Sequence, residues 1–181
     1  ILDQAANASN KLQYDLRSPW HIICSGTYIF PGAVTHGKMG FITADIEYVA
    51  NTSAKFSFPQ DSYGNPVDNS YFDAVNSVIK SYYKNNFNFR MGGEYKVDEL
   101  AVRIGGSYSM SPYSSSGLKG NRITIAGGLG YRKKGVFIDL TYVEAILNDV
   151  SFPYRLSGKD NFYSTVTQYT GNILLTFGLK F

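Results

Sequence analysis

From Gln168 to Phe181 the chain alternates with a period of two. Tyr169, Gly171, Ile173, Leu175, Phe177, Leu179 and Phe181 fall in one register. Gln168, Thr170, Asn172, Leu174, Thr176, Gly178 and Lys180 fall in the other, where only Leu174 departs from polar or small character. Successive side chains of a strand point to opposite sides, so such a stretch is at rest only with an apolar medium on one face and a polar one on the other. Six further segments repeat the pattern: Trp20 to Phe30, Ile42 to Tyr48, Phe87 to Tyr95, Leu100 to Met110, Ile123 to Tyr131 and Val136 to Val143.

Two media on opposite faces of every strand describe a membrane barrel: lipid outside, water inside. The mean hydropathy is only −0.17, and no apolar run approaches the ~18 residues of a membrane helix. Barrel strands nevertheless hide their hydrophobicity in alternate positions. Aromatic residues gather at the ends of the apolar registers, as in Tyr28, Phe30, Tyr48, Phe87, Tyr95, Tyr108, Tyr131, Tyr142, Tyr169 and Phe181. That is where an interfacial girdle belongs. The opposite registers carry Arg, Asp, Glu, Ser, Thr and Gly, which suits a hydrated lumen. A soluble barrel with its apolar face turned inward is the alternative.

The expected fold class is therefore all-β: an antiparallel transmembrane β-barrel segment of about seven strands. Links alternate in length. Pro31–Gly40, Lys96–Glu99 and Arg132–Gly135 are short, whereas Asn51–Asn86, Ser111–Gly120 and roughly Asn148–Val166 are long. Short periplasmic turns and longer extracellular loops assign the two sides. Seven is odd, and open edges in lipid leave backbone groups unpaired. The expectation is thus a piece of a larger barrel, with residues 1–17 as the remnant of an upstream extracellular loop and 18–181 as C-terminal strands. One helix is expected in the longest loop. Ser70 and Asp73 are placed as a capping box, and Phe72, Val75, Val78, Ile79 and Tyr82 follow at helical spacing. That helix either meets hydrophobic ligand or outer leaflet, or packs down to close its loop.

Other classes find little support. The net charge is +3 with basic residues scattered, so no stripe suits nucleic acid. The single Cys24 excludes an internal disulfide and a cysteine-based zinc site. Residues Ile1 to Asn10 lack the basic start and apolar core of an export signal. His21 and His36 lie on different segments without a serine and an acid beside them, so neither metal, cofactor nor enzyme is expected. Gly127-Gly128-Leu129-Gly130 lies inside a strand without the helix or Lys-Ser/Thr of a phosphate loop. Its glycines are read as relieving crowding on a curved wall, and Cys24 as a small apolar residue facing lipid. The polar cluster with most chemical potential is Asp45, Glu47, Arg90, Glu94, Arg103, Arg122 and Asp139, all in the inward register. A tight Lys96–Glu99 turn would pair Gly92 with Arg103, placing Arg103 diagonal to Arg90 and Glu94. Such arginines either hold a ligand carboxylate or brace the wall through ion pairs.

Several stretches resemble the FadL/TodX family of outer-membrane transporters in the form seen in Bacteroidetes. They are Ser18-Pro19-Trp20; Phe41 through Tyr48 (FITADIEY); Phe89 through Tyr95 (FRMGGEY) with Arg103 through Tyr108 (RIGGSY) and Ser111-Pro112-Tyr113; and Gly128 through Arg132 (GLGYR) with Val136 through Tyr142 (VFIDLTY). The resemblance spans roughly Leu16 to Phe181. It implies half of a fourteen-stranded barrel in a Gram-negative outer membrane; the alternating strand that ends on Phe181 is by itself the expected signal for the barrel-assembly machinery. It also implies passive uptake of hydrophobic molecules such as long-chain fatty acids or aromatic hydrocarbons. The expected partners are outer-membrane lipids, the hydrophobic ligand and the barrel's N-terminal half. Alternatives are a partner-binding barrel of secretion or anchoring type, and a polar porin.

Overall fold

The computed structural model describes residues 13–31, 39–59, 68–153 and 162–179. Seven strands form one antiparallel sheet: β2 (Trp20–Pro31), β3 (Met39–Ala50), β5 (Asn86–Val97), β6 (Leu100–Ser109), β7 (Arg122–Lys133), β8 (Val136–Ser151) and β9 (Ser164–Leu179). Each pairs with its sequence neighbour, in the order β2-β3-β5-β6-β7-β8-β9. Two short strands absent from the sequence expectation, β1 (Asp15–Arg17) and β4 (Lys55–Ser57), form a separate ribbon. They lie in stretches expected as loop, and three residues are too short for alternation to reveal. Helix α1 (Ser70–Tyr82) precedes β5.

The strand positions agree with the alternation, and the turns explain the register. β7 reverses into β8 through Lys134 and Gly135, both at positive φ (46° and 84°), the backbone that matches the twist of a two-residue hairpin. β5 reverses into β6 over Asp98 and Glu99, with Asp98 at φ 53° and Val97 paired to Leu100. This turn is two residues tighter than expected. Gly92 therefore pairs with Gly105, not Arg103, and Arg103 stands directly opposite Glu94. The last hairpin is also longer than expected, since β8 continues to Ser151 and β9 starts at Ser164.

Among the described residues the sheet is a single layer with no second layer upon it. Only Val49, Phe72 and Ala101 are buried apolar residues among those described, and no described side chain is fully enclosed. Even-numbered residues of β2, β3, β6 and β8 share one face with odd-numbered residues of β5, β7 and β9, as the register dictates. That face is apolar and bare: Ile173 is 75% exposed, Leu175 72% and Ile104 71%. Rings cluster near both of its ends, with Tyr28 against Phe30 at 4.9 Å and Tyr48 against Phe87 at 5.2 Å. Among the described residues β2 and β9 do not pair with each other, so the sheet is open at both edges. No described helix is long and apolar enough to cross a membrane, which says nothing of a β-barrel.

Candidate functional site: a charged ladder and a loop platform

The opposite face collects the charged residues into two clusters. In the first, Glu47 on β3 lies between Ile23 on β2 and Asn88 on β5 in the register. Its carboxylate is joined to His21 Nδ1 at 2.8 Å and accepts from Asn88 Nδ2 at 3.1 Å and from Arg90 Nη2. Glu47 is the most buried charged residue described, at 6% exposure. Three partners replace the water it loses, as a buried carboxylate requires. Arg90 stands opposite Asp45 yet reaches diagonally to Glu47.

The second cluster crosses β7. Arg103 donates through Nε to Glu94 Oε2 at 2.5 Å and through Nη1 to Asp139 Oδ1 at 2.5 Å. Asp139 lies on β8, two strands from β6, with Gly130 of β7 beneath the bridge. A Cβ on Gly130 would collide with Asp139 Oδ1 and stand 3.2 Å from Arg103 Nη1. This glycine therefore clears the path of an ion pair, a more specific role than easing wall curvature. A small cleft of about 80 Å³ opens here, lined by Lys96, Glu99 and Arg132 beside the three bridged residues. Its three cations face three carboxylates, so it presents no net anion site.

Of the seven charges singled out in the sequence, the fold joins Glu47 to Arg90, and Glu94 and Asp139 to Arg103. Asp45 and Arg122 make no ion pair among the described residues. His21, Asn88 and Gly130 belong to the clusters without having been singled out as members. His21 shares the polar face through its odd position on β2, but partners two strands apart follow only from the observed turns. Chemically the clusters are cross-strand braces. The described residues hold no group of three candidate metal ligands. His36 and Phe181 lie outside the described residues.

Beyond one end of the sheet, α1 and the β1–β4 ribbon enclose a satellite core. Phe72 sits 4.5 Å from Phe58, 5.2 Å from Tyr71 and 6.0 Å from Phe56 between ring centroids. Asn76 substitutes for a missing strand: its Nδ2 donates to Phe56 O at 2.9 Å, and its Oδ1 accepts from Phe56 N at 2.8 Å. The expected capping box does not form. Asn69 is the N-cap, and Asp68, two residues before the expected cap Ser70, accepts from the backbone N–H and hydroxyl of Ser70. The expected apolar face also divides. Phe72 is buried and Val75 and Ile79 half-buried, while Val78 and Tyr82 are exposed because Asn76 occupies the position facing β4. The platform is tied to the β6–β7 loop where Lys84 N donates to Pro112 O at 2.8 Å and Ser114 N to Tyr82 O at 2.9 Å. Tyr113 there lies 5.7 Å from Tyr83. Burial, with Asp149 nearby, holds its phenol above the usual range.

No family model matches this chain, and no curated protein or solved structure matches it significantly.

Proposed function

We propose that these strands form part of the wall of a Gram-negative outer-membrane β-barrel through which hydrophobic molecules pass without energy input. The observation that supports this most is the contrast between the two faces of a single-layer sheet. One face is a continuous field of exposed Ile, Leu, Val, Phe and Tyr, far larger than a soluble monomer leaves bare. The other is a charge-braced polar surface. Lipid against the first and water against the second satisfies both.

The open edges fit the same reading. β2 and β9 would need further strands to complete the wall, because unpaired backbone groups in hydrocarbon cost several kcal/mol each. The resemblance to the FadL/TodX family makes fourteen strands the proposed total and fatty acids or aromatic hydrocarbons the proposed cargo. The polar face is not uniformly wet: Ile29 and Phe41, cross-strand partners, stand exposed on it. A greasy patch beside charged rungs suits passage of an apolar molecule better than free flow of ions.

The test is to purify the whole protein in mild detergent, extract it with organic solvent and identify the small molecules by mass spectrometry against an unrelated barrel. Enriched fatty acids or hydrocarbons are expected. Their absence, with another protein co-purifying, would replace transport by a partner-binding role.

A further inference from the structure

Glu144 is the one carboxylate at an apolar-face position of the seven strands. The register settles its side: it pairs with Ile125 on β7 and Gly171 on β9, both on that face. The sequence expectation ended this strand at Val143, one residue short of it. Lys133 is the other charge on that face, but it stands at a hairpin end beside Glu99, 3.6 Å away. Glu144 lies near the middle of the 16-residue β8, and its partner is Tyr142, whose Oη donates to Oε2 at 2.8 Å. Gly171 makes this possible, because a Cβ there would come within 2.9 Å of Tyr142 Oη. One phenol satisfies one lone pair of an ion that has several, and a charge facing lipid is a functional mark by default.

Beside this pair the apolar face is hollow. Gly92, Gly93, Gly105 and Gly106 floor a recess of about 370 Å³, with Ile104 and Ile125 among its walls. Ile125 is the direct cross-strand partner of Glu144, and Gly127 that of Tyr142. A Cβ on Gly127 would meet nothing within 4 Å, so the sheet beside the phenol is open, and Ile125 alone stands between the recess and the carboxylate. An apolar recess one cross-strand neighbour away from an anion matches a molecule with an aliphatic chain and a cationic hydrogen-bond donor.

We infer that Tyr142, Glu144 and the adjoining glycine-floored hollow form a binding site for a membrane lipid with a primary-amine headgroup. The ammonium donates to Glu144 and an acyl chain lies in the hollow. Anionic headgroups are repelled, and a quaternary ammonium has no N–H to donate. A recess rather than a flat surface, beside a single charge, favours a chain-bearing lipid over a protein flank.

This inference rests on the membrane reading of the sheet, so its test has two parts. Ile125→Trp in a Trp20→Phe background, reconstituted with the whole protein into brominated-lipid vesicles, is expected to be quenched. No quenching would overturn the membrane reading itself. In the second part, native mass spectrometry counts phosphatidylethanolamine against phosphatidylcholine of equal chains on the detergent-solubilised protein. A preference of about tenfold or more for the amine is expected, the lower end for one charge-assisted hydrogen bond. Glu144→Gln should bring it to parity, and Gly127→Leu, which fills open space, should lower retention of both lipids. Quenching without an amine preference, a preference that survives Glu144→Gln, or retention of a second protein through Glu144 would each overturn the site while leaving the membrane reading intact.

Discussion

Glu47 and Arg103 each tie three strands together, but they differ in how far water reaches them. The Glu47 side chain is 8% exposed, whereas Arg90, His21 and Arg103 are 46%, 48% and 38% exposed. Removing Glu47 strands donors that can still turn to water, so Glu47→Leu is expected to cost about 1–3 kcal/mol. Arg103→Met leaves Glu94 and Asp139 facing each other, and solvent screening holds the loss to about 1–2 kcal/mol. Asp45→Asn touches no bridge and should stay within about 0.5 kcal/mol. Denaturant unfolding of the whole protein in micelles measures all three. Equal effects at Glu47 and Asp45 would show that the ladder does not brace the wall. Gly130→Ala is a further check, because it blocks Arg103 from Asp139 without removing either charge.

At the scale of an element, α1 is held by Phe72 and by Asn76 rather than by its cap or by a continuous apolar stripe. Phe72→Ala removes the ring on which four others meet and is expected to cost the platform about 3–5 kcal/mol. Asn76→Ala strands the N–H and C=O of Phe56 and should cost about 1–3 kcal/mol. Val78→Ser, on the exposed side, should change little. Hydrogen exchange at Phe56 and limited proteolysis of the loop read these effects, while exchange in β5 to β9 stays constant because the platform is a separate core. If the sheet loosened together with the loop, the platform would be a structural part of the wall. The hairpin at Lys134 and Gly135 is a second local case. Gly135→Val places a β-branched residue at φ 84° and is expected to cost about 1–3 kcal/mol.

For the molecule as a whole the decisive property is which medium each face meets. An arginine on the apolar face should be penalised by about 2–4 kcal/mol at mid-bilayer depth, and one on the polar face hardly at all. Ile104→Arg is thus expected to block assembly into membranes, and Thr43→Arg to be tolerated. Heat-dependent gel migration and protease resistance of the membrane-inserted protein compare the two. Equal tolerance would remove lipid as the partner of the apolar face and favour a covering protein layer instead.

The local pattern determined a great deal unaided, because a strand's side-chain period is two whatever it pairs with. The seven sheet strands, their antiparallel order, the two faces and helix α1 were all legible in it. Register was not, since it depends on how many residues each turn consumes. Two fewer in the turn after Val97 placed Arg103 opposite Glu94, and the extension of β8 past Val143 placed Glu144 on the apolar face. The bridge from Arg103 over Gly130 to Asp139, and the amide of Asn76 that pairs like a strand, join residues far apart in the chain. Alternation says which side a residue faces. Only the pairing of strands decides whom it meets there.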